Sequence, residues 1–589
     1  MVSLKKSRIF TCALILFLFF GFLIYKLADI QLLSAENYGK ESVNLLKRSV
    51  EQRSSEISLS SGRGIFVDNE KKPFNNVLKN DIVLFPFIQL LDLPDSIQLE
   101  INSLDTHWQS KLEQEKEPIY LSELVGHEIS NKLYEMVKEK SIPGIIAVER
   151  TISSDPLVAS HAIGIVRENE EEYYARYEKS VDQSKSMPIG ISGLEKAFDS
   201  FLVSTNDETL KYHVDAMGNP LLGLNLRYQG KGDYFYPVKV QTTIDSTIQQ
   251  MTEQVIDNYQ MTMGGLVLLD IETRKVLAMT SRPKIDEFDP FKDDTLENQM
   301  LTSHFPGSVF KTVVAAAAIE KSPLSIGKQY DCNNNLYGDG TGDRTLGILS
   351  FEESFSLSCN YTFGEIGKEL LNNDKEMLEK YSEKLGLIGP VGWSGDVYHF
   401  ENFSQFPEEE QGRIWGNEQD PYVDRAIVQT AIGQKEVKVT PLAMANMMVT
   451  IATNGVNGQV RIADKILYNN DSTMLKFEPK LLNQETMIKK ETALYLKKLL
   501  VDVVENGTGQ QLKGLEVAGK SGTAETGRDG KSHYWFAGFF PKDKPKYALV
   551  VVDLNQTNGN SKHYQIYREV VVNLKNGVTN INDTKNALH

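Results

Sequence analysis

The stretch over residues 9–25 carries no charged side chain, and Lys5, Lys6 and Arg8 stand just before it. At helical rise it measures about 25 Å, slightly short of a hydrocarbon core of about 30 Å. Lys26, Leu27 and Ala28 extend it, because a lysine stem can lie in the apolar layer while its ammonium reaches the interface. The pattern predicts a membrane-crossing helix over 9–28, with residues 1–8 as a cytoplasmic tail and the rest of the chain outside. A cleaved signal peptide would need a small-x-small site after the apolar run. Residues 29–36 offer none and continue as a helical mixture of polar and apolar positions.

From about Arg48 to Lys239 the pattern is mixed, with β-rich stretches such as 145–150 and charged helical stretches such as 168–179. Residues 229–233, with Gly230 and Gly232 among charges, read as a connection between two larger units. Helical spacing over 246–259 leads into two apolar strand candidates, 265–270 and 275–280. Three more strands are expected at 516–519, 534–540 and 547–553, followed by a helical tail at 564–574. Five strands from the two ends of one region predict a single antiparallel sheet, with the residues between them as a large helical insertion.

Composition narrows this picture. A chain of 589 residues exceeds one ordinary core, and 41% hydrophobic with 24% charged residues describes a folded body. The formal charge of −16 opposes binding to nucleic acid, so none is expected as a partner. Of the three cysteines Cys12 lies in the apolar run, and whether Cys332 and Cys359 pair stays open. The nine histidines show no zinc spacing. Asp331, Asn333 and Asn335 resemble the start of a calcium loop, but Leu336 stands where its glycine belongs and Gly342 where its glutamate belongs. No metal or cofactor is expected.

A serine hydroxyl is a poor nucleophile at neutral pH and needs a base beside it. Ser308 and Lys311 have the spacing that puts both on one helix face. The same spacing recurs at Ser3 and Lys6, Ser281 and Lys284, and Ser325 and Lys328, so context has to choose. Only Ser308 follows a Pro306-Gly307 turn and precedes a small, apolar run over 313–319 that would be buried. Burial at the edge of that run would lower the Lys311 pKa, as a lysine base requires. Ser358-Cys359-Asn360 supplies a hydroxyl to relay a proton and an amide to hold a substrate amide. Lys520-Ser521-Gly522-Thr523 opens from the 516–519 strand: Lys520, Ser521 and Thr523 suit a carboxylate, and Gly522 lets substrate approach the strand edge. Each of the last two, standing alone, reads better as a polar turn than as a site.

In this order and spacing the three elements resemble those of penicillin-binding proteins and serine β-lactamases. The chain resembles a class B penicillin-binding protein, a monofunctional D,D-transpeptidase that crosslinks peptidoglycan. Gly264-Gly265-Leu266-Val267-Leu268-Leu269-Asp270, Thr243-Ile244-Asp245, Ala431-Ile432-Gly433-Gln434, Val439-Thr440-Pro441-Leu442 and Trp535-Phe536-Ala537-Gly538-Phe539 extend the likeness through the second half. Arg63-Gly64, His161-Ala162-Ile163-Gly164 and Gly193-Leu194-Glu195-Lys196-Ala197-Phe198 resemble the family's non-catalytic pedestal. Asp68-Asn69-Glu70 departs from the acidic-basic-Asn-Gly stretch usual after Arg-Gly, so a partner contact through that arginine is not carried over.

The resemblance implies an α+β fold: one transmembrane helix, an elongated mixed pedestal over 29–240, and a transpeptidase domain over 241–580 whose five-stranded antiparallel sheet is flanked by helices. It implies Ser308 as nucleophile on a stem peptide, Lys311 as its base, Ser358 as proton relay, Asn360 as peptide holder, and Lys520 with Ser521, Gly522 and Thr523 as the carboxylate site. The N–H groups of Ser308 and Thr523 would form the oxyanion hole. β-Lactams would acylate the same serine, and a membrane glycan polymerase would be the partner. A β-lactam sensor, a β-lactamase and a non-catalytic cell-wall scaffold are the rival classes. The few residues before Ile9 are too short for a signalling domain, the large front region is unusual for a secreted hydrolase, and the complete motif set speaks against loss of activity. His533, beside Tyr534 and Trp535, reads as packing.

Overall fold

The computed structural model describes residues 2–34, 44, 54–60, 63–74, 76–140, 142–153, 158–177, 188–203, 208–215, 220–221, 227–229, 235–286, 289–342, 344–398, 400–482, 487–527, 530–557 and 559–577. Residues 230–233 of the expected connection lie outside this set. Helix α1, Val2–Ala28, contains the apolar run, and Phe10–Gln31 is long and apolar enough to cross a membrane.

Two compact units interleave along the chain. One is Met1–Gly62, Leu78–Ile152 and Thr205–Asp233; the other is Arg63–Val77, Ser153–Ser204 and Tyr234–His589. A single boundary between residues 240 and 241 therefore does not describe the packing. Arg63-Gly64 and the 193–198 motif, read above as pedestal, fold with the second unit. The cause is strand pairing: Ile65–Val67 adds in parallel to Lys239–Thr242, which pairs antiparallel with Ala463–Leu467. Gly64 makes room for it, since a Cβ there would collide with Val238 O and Leu202. In the first unit two three-stranded sheets, one containing Ser54–Ser60 and the other Ile145–Ser153, accompany short helices around Ile82, Leu84, Trp108 and Leu133.

In the second unit the strands β1 (Gly264–Asp270), β2 (Val276–Arg282), β3 (Ala518–Glu525), β4 (Lys531–Phe540) and β5 (Tyr547–Thr557) form one antiparallel sheet, in the order β2-β1-β5-β4-β3. Strand period 2 divides their apolar side chains between two cores. Val267, Leu269, Val550, Val552 and Trp535 face one, with Val313, Val314 and Met444; Leu266, Leu268, Leu549, Val551 and Phe536 face the other, with Val255, Ile566 and Val570. Both faces are therefore covered by helices, which is why these strands read as continuous apolar runs. The helices are α2 (Ser246–Asn258), α3 (Lys311–Lys321), α4 (Phe351–Ser356), α5 (Asn360–Asn373), α6 (Pro441–Ala452), α7 (Lys490–Glu505) and α8 (His563–Lys575).

Every residue of α6 is buried. Thr440 caps it through Oγ1, which accepts from Ala443 N at 3.1 Å, and Pro441 occupies the first turn, where its missing N–H costs nothing. The Val439-Thr440-Pro441-Leu442 motif is thus a helix start. Cys332 and Cys359 are joined in a disulfide with a Cα–Cα distance of 6.0 Å, which settles their pairing.

Candidate active site

Pro306 and Gly307 lead into a 3-10 turn, Gly307–Phe310, that runs directly into α3. Gly307 has φ +54°, a conformation that disfavours any side chain, and a Cβ there would also strike Thr523 O. Its N–H donates to Gly433 O at 3.0 Å, and a Cβ on Gly433 would strike Gly307 O. Trp535 Nε1 donates to Phe305 O at 2.9 Å on the other side of the turn. The Ile432-Gly433-Gln434 and Trp535 motifs thus clamp the backbone that presents Ser308, which is half-buried and lines the cleft.

Lys311 opens α3 and is fully buried. Its Nζ lies 2.6 Å from Asn360 Oδ1, 3.1 Å from Ser358 Oγ and 3.0 Å from Ser358 O. Among the described residues no hydrogen bond joins it to Ser308, and every acceptor it has is neutral. Burial pushes the Lys311 pKa well below its ordinary value, and the positive charges of Lys520 and Arg344 push it further in the same direction. Ser358 sits in the turn between α4 and α5 with φ +58°, and Asn360 opens α5.

Lys520-Ser521-Gly522-Thr523 lies inside β3 rather than beyond a strand ending at 519. Small and hydroxylic residues read as a turn in sequence; here they pair residue by residue with Ala537, Phe536, Trp535 and Tyr534 of β4. β3 is an edge strand, so its outer side is open to an extended ligand. Gly522 lets it lie against the serine turn, since a Cβ there would collide with Pro306 O and Val309. Strand alternation sends Ser521, Thr523 and Glu525 to the cleft and buries Lys520 fully. Lys520 Nζ donates to Ser521 O at 3.1 Å, and burial with the nearby Arg344 charge brings its pKa down to about 7.

All eight expected residues therefore meet at one place. Ser308, Ser358, Asn360, Ser521, Gly522 and Thr523 line a cleft of about 590 Å³, with Lys311 and Lys520 buried beside it. Further residues reach the cleft to which the sequence reading gave no site role. Thr508 Oγ1 is 2.7 Å from Ser521 Oγ, and Tyr564 OH donates to Thr508 O at 2.7 Å. Gln434 and Arg344 also line it. The Asn506-Gly507-Thr508-Gly509 turn was a usable signal, since a Cβ on Gly507 would strike Ser356 O. Arg344 had none.

Residues 264–571 match the model of the penicillin binding protein transpeptidase domain. The chain belongs to this family. Residues 55–233 match the penicillin-binding protein dimerisation domain, and the two domains together make it a class B penicillin-binding protein. Stage V sporulation protein D of Bacillus subtilis is 27% identical over 458 residues, 72% of this chain and 63% of that protein. Peptidoglycan D,D-transpeptidase FtsI of Buchnera aphidicola is 22% identical over 576 residues, 92% of this chain and 90% of that one. Among solved structures, a chain of a peptidoglycan synthase complex described as coordinating polymerization and crosslinking superposes with a TM-score of 0.67 at 20% identity, covering 96% of this chain and 98% of that one. Penicillin-binding protein 2X of Streptococcus thermophilus gives 0.62 at 17% identity, covering 88% and 79%. These structural likenesses bear on the fold alone.

Proposed function

We propose that this class B penicillin-binding protein is a membrane-anchored peptidoglycan D,D-transpeptidase working through a Ser308 acyl-enzyme. The observation that carries the reading is Lys311, a buried amine one helical turn from Ser308, with no carboxylate among the described residues to hold its proton and with Ser358 and Asn360 as acceptors. Neutral Lys311 takes the proton as Ser308 Oγ attacks the carbonyl carbon of the penultimate D-Ala. The N–H groups of Ser308 and Thr523 receive the oxyanion. The C–N bond to the terminal D-Ala then breaks; Ser358 passes the proton from Lys311 to the departing amine. An acceptor amine attacks the ester, its proton returns by Ser358 and Lys311, and Ser308 regains its hydroxyl.

Asn360 Oδ1 is held by Lys311, which leaves the Asn360 amide N–H groups for the stem peptide. Ser521 and Thr523, backed by the Lys520 charge, suit the terminal carboxylate. Lys5, Lys6 and Arg8 support an N-terminus on the cytoplasmic side of a single span and a catalytic unit outside. A membrane glycan polymerase is the partner this reading implies, and β-lactams are its covalent inhibitors. The test is a fluorescent penicillin on the full-length chain in detergent, beside Ser308→Ala, read by intact mass. The reading expects one slowly released adduct that the variant lacks. Rapid release would indicate a hydrolase, and no adduct on folded protein would leave a scaffold.

A further inference from the structure

Between Cys332 and Ser350 the chain makes an excursion that the Cys332–Cys359 disulfide and the pairing of Tyr330–Asp331 with Ile348–Leu349 tie back to α4 and α5. Arg344 rides on it. Its Nη1 donates to Leu357 O at 3.1 Å and its Nη2 to Ser358 O at 2.8 Å, two consecutive carbonyls of the turn that carries the relay serine. Ser358 O is the same oxygen that accepts from Lys311 Nζ at 3.0 Å. That turn is a demanding one, because Ser358 has φ +58° without being glycine. Its N–H side is tied down by Ser358 N to Phe355 O at 3.2 Å and Cys359 N to Ser354 O at 2.8 Å. Its carbonyl side depends on Lys311 and Arg344. Arg344 is itself exposed, makes no ion pair among the described residues and lines the cleft with Ser308 and Asn360.

We propose that Arg344 is a positioning residue for acyl transfer, whose two-pronged grip on the Leu357 and Ser358 carbonyls holds the Ser358 hydroxyl against Lys311. The proposal rests on the reading of Ser308 as nucleophile and Lys311 as base. A planar guanidinium suits the task because its N–H groups point in fixed, parallel directions, which a lysine cannot reproduce. Without it Ser358 O keeps one donor, the peptide plane is free to turn, and Ser358 Oγ leaves the lysine. Arg344 has a second effect through charge. The charged and titratable groups facing this corner are Lys311 from α3, Lys520 from β3 and Arg344 from the excursion, with Glu525, Tyr534, His563 and Tyr564 along the rest of the cleft wall. Arg344 adds to burial and Lys520 in lowering the Lys311 pKa, so its removal raises that pKa and leaves less free amine at a given pH.

The experiment measures the second-order rate of acylation of the full-length chain in detergent by a fluorescent penicillin from pH 6 to 10, for wild type, Arg344→Ala and Arg344→Lys. Arg344→Ala is expected to acylate about tenfold to a hundredfold more slowly, with the rising limb of its pH profile moved up by about half to one unit. Arg344→Lys, which keeps the charge and loses the fork, is expected to keep the wild-type limb and recover only part of the rate. If Arg344→Ala does not fold, as thermal melting would show, the lysine variant carries the test. A lysine variant at full wild-type rate overturns the grip. An alanine variant that matches wild type, or that loses rate equally at every pH, overturns the proposal as well. A wild type that takes no label overturns the parent reading and this one with it.

Discussion

Two buried clusters in the second unit both centre on basic side chains, and they are built in opposite ways. Arg63 Nη2 lies 2.5 Å from Glu195 Oε2 and its Nη1 lies 2.8 Å from Asp199 Oδ1, with Arg176 on the far side of Asp199 at 3.3 Å. Burial alone would lower the Arg63 pKa, but the two carboxylates more than offset it and the group stays charged. Lys311 and Lys520 are at least as buried, have only neutral acceptors among the described residues, and have Arg344 as a further positive neighbour. Charge balanced within the fold holds segments together; here it joins Arg63 to the 193–199 region across a long stretch of sequence. Basic groups left without a carboxylate are held ready for something outside the fold, and two functions use them: a free amine to accept a proton and a positive field to receive an anion.

The comparison breaks most visibly at Lys311. Lys311→Met should lower the rate of penicillin acylation by about 10³-fold while leaving the melting temperature nearly unchanged, because it replaces a buried amine that no carboxylate compensates with an apolar side chain of similar length. A melting temperature several degrees lower would say that Lys311 is structural. Arg63→Met should do the reverse. It leaves Glu195 buried without a cation and Asp199 with Arg176 alone, and should cost about 3–5 kcal/mol in denaturant unfolding, while the folded fraction still acylates.

How much of this was legible depended on whether a feature is local. The five strands were visible because Leu266 to Leu269 in β1, and Leu549, Val550, Val551 and Val552 in β5, form apolar runs of the kind a sheet covered on both faces produces. Ser308 and Lys311 were visible because one turn of helix joins them. The extent of β3 was not, since Ser521, Gly522 and Thr523 have weak strand preference and are strand only because β4 pairs with them. Arg344 and Thr508 reach the cleft through loop closure, which leaves no periodic trace. The interleaving of the two units was hidden for the same reason, because the pairing of Ile65–Val67 with Lys239–Thr242 spans a whole unit.

Smaller effects sharpen the contrast. Gly307→Ala meets both a positive φ and the Thr523 carbonyl, and should slow acylation about tenfold or more; Gly347→Ala, also at positive φ but in open space, should leave the rate within about twofold. The smallest effect is on stability against pH. A lysine with a lowered pKa binds fewer protons folded than unfolded between its folded value and its ordinary one. For Lys520 that window runs from about 7 to 10.5, so its contribution makes stability rise with pH across it and stay flat below. Thermal melts from pH 7 to 10 should show this rise, and Lys520→Met should reduce it.

The most direct measurement is the pH dependence of Ser308 acylation in the full-length protein. With the base held largely unprotonated by burial and like charge, the rate should climb and level off well below pH 10.5, the ordinary lysine value. A rate that keeps rising to pH 10.5, as for a solvated amine, would contradict the account.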